Sequence, residues 1–302
     1  MNILFKKLLS LNISKNIFLS FFGKKGKPVY IGLVFHAEKI YDKTVFDKLV
    51  DLGKFLSFKA TLCITTPKNP YIKSEMEKIN LNESEFTERI KTLSNFYEIG
   101  FHGHWCRKSD NFKFYDKKII TEIEKSGFVL TLNDSEEIKK QFKEEFEYLD
   151  KNIYRPKIYT AGWWYLNDTI IKLLDDYGFE FDCSVRYKYP DTFGERYIQN
   201  DKLPSQGYPF YISTSKKTME LNSISYLHMN WWTILKDLYS ILKQKNGPSF
   251  IIIPIHDYNL LDNYEKIKEN ITFISKINNV KWIEVSNMKN IISESTLRGV
   301  KL

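Results

Sequence analysis

Short apolar runs alternate with longer amphipathic stretches along this chain, a pattern that fits a parallel β/α architecture and little else. Val29 to Phe35 is an apolar run that ends at His36. Ala60 to Thr65 is a second, stopped by Pro67, and Tyr97 to Phe101 is a third that ends at His102. Further strands are expected at Lys157 to Thr160, Phe179 to Ser184, Thr218 to Tyr226, Ser249 to Ile255 (ending at His256) and Val280 to Val285. Helical spacing falls between them. It covers Phe86 to Phe96, a charged stretch at 135–150 opened by Asn133, Asp134 and Ser135, and a segment capped by Asn167 or Asp168 that runs through Tyr177 to Gly178. Trp232 to Lys243 and Tyr264 to Ile277 complete the set. No internal repeat or low-complexity linker divides the 302 residues, so 28–302 reads as one body.

Charge sets the N-terminus apart. Residues 1–27 hold Lys6, Lys7, Lys15, Lys24, Lys25 and Lys27 and no acid, which leaves the rest of a +8 chain near neutral. A near-neutral body does not call for a nucleic-acid partner. The 1–27 segment reads as a basic amphipathic extension, suited either to an anionic membrane surface or to packing on the body. It makes a poor signal peptide, because Lys15 and Asn16 divide its apolar residues and no small-residue cleavage site follows. No run reaches the ~18–20 apolar residues of a membrane span. The cysteines, Cys63, Cys106 and Cys183, are few, odd in number and widely spaced. This argues against a disulfide framework and for a reducing, cytoplasmic setting.

Five histidines are present, and His36, His102 and His256 each close an apolar run. In β/α barrels the strand ends that carry chemistry are the carboxyl ends. Imidazoles brought to one barrel mouth suit a metal site or acid–base work. His36 and Glu38 fall on one side of an extended chain, so one can bind a metal while the other acts as base. Within Gly100-Phe101-His102-Gly103-His104-Trp105-Cys106, His102 shares a side with His104 if the chain stays extended, and with Cys106 if it turns helically. Gly103 permits either, and imidazole, thiolate and carboxylate all ligate zinc. His256 is followed by Asp257, an arrangement suited to a general acid whose tautomer a neighbour fixes. Trp163 and Trp164, after Gly162, can stack on a sugar face or pack beneath their loop, and His228 beside Trp231 and Trp232 offers the same choice.

These residues resemble the motifs of the polysaccharide deacetylases, the NodB-like carbohydrate esterases, over roughly residues 29–290. Leu33-Val34-Phe35-His36-Ala37-Glu38 sits where that family has its first acidic motif, and Glu98-Ile99-Gly100-Phe101-His102 is similar to the approach to its metal-binding histidines. Ala161-Gly162-Trp163, Asp182-Cys183-Ser184-Val185 and Ile253-Pro254-Ile255-His256-Asp257 are similar to later motifs. The resemblance implies a distorted β/α barrel of roughly seven to eight strands. It also implies a divalent ion, most often zinc, held by one acid and two histidines, and a catalytic base and acid acting on an N-acylated sugar. Here His36 stands at the family's catalytic Asp, Cys106 at its second metal histidine and Thr160 at its motif Arg, with Arg155 and Arg107 as substitutes from elsewhere.

The expected site therefore has His36, Glu38 and His256 as catalytic groups and Glu38, His102, Cys106 and His104 as metal ligands. Trp163, Trp164, Arg155, Asp182 and His228 are expected at the substrate. The expected activity is release of an acyl group from an N-acylated sugar in surface-polysaccharide or glycolipid metabolism, on a free or lipid-linked carbohydrate. Two alternatives stand beside it: a sugar-binding barrel with a decayed site, and a hydrolase of small non-sugar amides.

Overall fold

A computed structural model describes residues 27–109, 125–131, 133–185, 208–242 and 248–292. The basic residues 1–26 therefore lie outside the described part of the chain. The elements run β1 (Val29–Ala37), α1 (Lys43–Phe55), β2 (Ala60–Ile64), α2 (Pro70–Lys78), α3 (Glu83–Ser94), β3 (Tyr97–Gly103), β4 (Cys106–Lys108), β5 (Phe128–Leu130) and α4 (Ser135–Asn152). They continue with β6 (Ile158–Ala161), α5 (Asp168–Tyr177), β7 (Phe181–Asp182), β8 (Phe210–Tyr211), β9 (Met219–Glu220), α6 (Trp231–Leu242), β10 (Ser249–His256), α7 (Asn259–Ser275) and β11 (Val280–Trp282).

The main sheet has the order β10-β1-β2-β3-β6-β7-β9-β8, with β11 alongside the start of β1. Every pair is parallel except β8 with β9. Beyond β9 the chain leaves β7 and crosses to β10. Leu221 N bonds Asp182 O, whereas Ile252 N bonds Asn222 O and Ile224 N bonds Ile252 O. That crossing closes the curl into a distorted barrel. It also explains why the strand expected at Thr218 to Tyr226 is regular only over Met219–Glu220: its amides serve two different neighbours in turn.

Side chains alternate along β1, as a pleated strand requires. Ile31, Leu33 and Phe35 enter the large core beneath the helices, while Val34 joins Cys63, Ile158, Phe250 and Ile252 inside the curl. Val285 and Met288 fill the lower part of that interior, where a Cβ on Gly32 would lie 2.7 Å from Val285 Cγ2. His36 has the parity of Val34 and so points into the curl from its upper end.

The structure adds elements that the sequence pattern did not indicate. Helices α1 and α2 were not among those expected. In α2, Pro70 occupies the first helical turn, where a missing N–H costs nothing, and Asn69 caps it by accepting from Tyr71 N. The antiparallel β4–β5 pair was also missed, because its strands are only three residues long. Among the described residues no helix is long and apolar enough to cross a membrane.

Candidate metal centre

Strand register assembles the site. His36 on β1 pairs with His256 on β10, and His102 on β3 pairs with Thr160 on β6. Glu38 follows one residue after β1, on the same side as His36. His104 follows one residue after β3, and the chain is still extended there, so His102 and His104 face together. Glu38 Oε1 lies 3.3 Å from His102 Nε2, 3.2 Å from His104 Nε2 and 3.6 Å from His256 Nε2. The two Nε2 atoms of His102 and His104 are 2.8 Å apart.

One carboxylate oxygen and two imidazole nitrogens thus converge on one point, all within 4.8 Å of one another. The donor set matches the N/O ligands of a zinc-type ion. The tautomer fits as well. His102 Nδ1 faces the Thr160 carbonyl at 2.9 Å and its Oγ1 at 2.8 Å, so Nδ1 carries the proton and Nε2 keeps its lone pair for the centre. Thr160 was noticed in the sequence only for not being Arg. Its tautomer-setting role depends on a partner strand 58 residues away and had no local signal.

Two further imidazoles flank this trio. His36 is 2% exposed, its ring centre lies 4.6 Å from that of His102 and 4.9 Å from that of His256, and its Nε2 has no partner. His256 packs against Tyr226 (5.3 Å) and is stacked on Tyr258 (4.8 Å). Neither imidazole belongs to the converging donor set. Burial, followed by the neighbouring imidazoles, holds His36 well below the usual histidine range. Burial pushes His256 down to about 4 against the pull of Glu38. Burial alone would raise the Glu38 carboxyl, but the facing His104 and His102 outweigh it and keep Glu38 ionised.

Above the trio stands the turn Gly162–Trp164. Trp163 and Trp164 both take left-handed backbone angles, with φ of 52° and 61°, a costly geometry for bulky residues. It sets the Trp163 ring edge-on to His104 (4.3 Å) and Trp164 beside His36 (5.1 Å). The Trp164 indole N–H donates to Tyr226 Oη at 3.2 Å, and Tyr226 stacks on half-buried His228. An aromatic rim therefore surrounds the ion-binding point, and His228 lies on its outer part, separated from the trio by Tyr226 and His256.

Four residues expected at the site or offered as substitutes there lie elsewhere. Cys106 points its thiol at Asn69 Oδ1 (3.8 Å), its backbone pairs with Gln141, and burial lifts the thiol to about 12; it lies outside the converging donor set. Arg155 precedes β6, at the opposite rim from the strand tips, where it donates to Tyr177 O and covers the Phe146 ring. Arg107, on β4, is exposed. Asp182 is fully buried in the wall, accepts from Ser184 Oγ and lies beside Glu220. Burial raises it to about 6, and Ser184 Oγ in turn accepts from Ala161 N, so Asp182 supports the tryptophan turn from below.

Behind His104 lies a second buried acid. Asn69 Nδ2 donates to His104 O (2.6 Å) and to Glu145 Oε1 (3.1 Å), while Glu145 Oε2 accepts from both N and Oγ1 of Thr66 at 3.1 Å. Burial pushes Glu145 up to about 8, against about 4.3 for an exposed glutamate. Between those values the folded chain holds a proton that the unfolded chain has lost. Its contribution to stability is full below about pH 4 and drains away as pH rises through 8, by up to about 1.4 kcal/mol per pH unit. Denaturation midpoints measured from pH 5 to 9 should therefore fall more steeply for the parent chain than for Glu145→Gln; equal slopes would contradict this.

No family model matches the sequence, and no curated protein matches it in sequence. Among solved structures, one described as a polysaccharide deacetylase from Mycobacterium smegmatis aligns with a TM-score of 0.57 at 13% identity, over 92% of this chain and 94% of that one. The 4-alpha-glucanotransferase of Thermococcus litoralis aligns at 0.55 and 12%, over 91% of this chain and 42% of that one. Puue allantoinase aligns at 0.52 and 12%, over 87% and 90%. At such identities the likeness establishes the fold alone.

Proposed function

We propose that this chain, built on the fold of the polysaccharide deacetylases, is a metal-dependent hydrolase that removes an acetyl group from an N-acetylated sugar. The convergence of Glu38 Oε1, His102 Nε2 and His104 Nε2 between two further imidazoles carries this reading. Those three residues would hold a divalent ion, zinc by their donor types, which when bound polarises the amide carbonyl and lowers the pKa of water. His36 is the base. Its ring is neutral at neutral pH and its Nε2 is unpartnered, so with the ring proton on Nδ1 it can accept the proton of the attacking water. His256 serves the leaving amine. It is neutral in the resting site, so the proton it delivers arrives during turnover, and His36, 4.9 Å away between ring centres, is the group that gains one. Trp163 and Trp164 exclude bulk water and offer ring faces to the sugar, and Tyr226 and His228 extend that surface outward.

The sugar is assigned to surface-polysaccharide or glycolipid synthesis, with the lysines of residues 1–27 placing the chain at the cytoplasmic membrane face near a lipid-linked substrate. A second reading, hydrolysis of a small non-sugar amide, draws on the same site and on the likeness to an allantoinase. Purified protein tests both. Bound divalent metal, acetate release from N-acetyl sugars that a chelator abolishes, and recovery on adding zinc are expected. A chain that binds no divalent ion, or acetate release indifferent to chelation, overturns the metal mechanism. Turnover of small amides but not of sugars selects the second reading. Chelator-independent sugar binding without turnover leaves a decayed barrel.

A further inference from the structure

Glu38, like His104, stands one residue beyond the end of its strand. β1 ends at Ala37, and Glu38 lies in the bend beyond it. The acceptor that a next strand residue would supply comes from a side chain 218 residues away. Asp257 Oδ2 accepts from Lys39 N at 2.7 Å. Oδ1 accepts from Tyr258 N at 2.8 Å, and the Asp257 amide returns a bond to His36 O at 3.0 Å. Asp257 is fully buried, and its bonds to β1 and the bend beyond it, at His36 O and Lys39 N, fall on either side of Glu38 and not on the His256 ring. The expectation that Asp257 orients His256 is thereby replaced: the His256 backbone amide is served by Asn259 Oδ1.

We infer that Asp257 is a positioning residue for Glu38, a carboxylate that extends the β1 ladder by one step and fixes where the ligand carboxylate stands. The inference rests on the metal reading above. A buried carboxylate accepting two backbone N–H groups, one on each oxygen, is a strong, directional anchor. Groups of this kind, one bond removed from a ligand, typically govern metal affinity by 10–100-fold. Asparagine cannot replace it. Lys39 N and Tyr258 N face opposite oxygens, and either orientation of an amide sets an NH₂ against one of them.

The test is a double-mutant cycle on the full chain, read as cobalt(II) affinity by competition with chromophoric chelators and not as activity. Asp257→Asn should weaken cobalt binding about 10–100-fold. In a Glu38→Gln background the same change should cost less than about threefold, since the group it positions is already impaired. Asp257→Ser, which places no donor against a donor, serves if the Asn variant does not fold, and should give the same pattern. Unaltered affinity in Asp257→Asn or Asp257→Ser, or an equal loss with and without Glu38, overturns the inference while leaving the metal reading intact. A parent chain that takes up no cobalt overturns both.

Discussion

Replacing His36 with glutamine should lower deacetylation turnover about 10²–10⁴-fold while the protein keeps its metal. The split between the two readouts is the informative part. His36 lies against His102 and His256, but its nitrogens are outside the converging donor set, so its loss should not open the ion site. What disappears is a buried, unpartnered Nε2. Glutamine keeps a polar tip of similar reach but cannot take up a proton near neutral pH. Metal content by elemental analysis, with turnover measured on the same samples, distinguishes the roles. If the variant loses its metal together with its activity, His36 is a ligand and Glu38 is left to act as the base. If turnover is unaffected, the proton goes elsewhere and the acid–base assignment fails.

Gly162→Ala should damage the site without touching a donor. A Cβ there would stand 2.6 Å from His104 Nδ1, 2.7 Å from His104 Cε1 and 2.7 Å from Gly103 O. The carbonyl is backbone and cannot swing aside, and the His104 ring is held on its other side by Trp163. The cost of overpacking is about 1–3 kcal/mol, or roughly 2–4 °C in Tm per kcal/mol for a chain of this size. Because the yielding group is His104, metal affinity should fall at least about tenfold as well. Gly178→Ala is the control. It sits at a left-handed helix end, with φ of 78° and nothing within 4 Å of an added Cβ, so it should lose stability and leave metal affinity unchanged. Equal metal affinity in the parent and Gly162→Ala would mean that His104 is not fixed where the structure has it.

Much of this site was legible from strand ends alone. Val29 to Phe35, Tyr97 to Phe101 and Ser249 to Ile255 are apolar enough to be buried strands, and parallel β/α topology then carries His36, His102 and His256 to one rim. The choice between His104 and Cys106 was not legible. It turned on whether the chain stays extended past Gly103, and Asn69, Gln141 and Glu145, remote in sequence, decide that by holding the backbone of His104 and Cys106. Arg155 could have been placed from strand direction, since a residue before a strand lies at the rim opposite its tip. Asp182 could not, because its burial comes from β9, whose course the sequence pattern blurred. Asp257 was legible as an acid beside His256, but alternation along the backbone sends its side chain to the other neighbour.

The wall of the curl is uneven in a way that bears on what can enter. β1 and β10 are zipped over eight residue pairs, whereas the join from β9 to β10 is a seam of scattered bonds around Ser223. Among the described residues the backbone bonds of that seam are isolated, so local opening is expected there. Tyr226 and His228 stand at its upper lip. A guest molecule whose bulk presses on that lip meets a wall without a continuous ladder behind it.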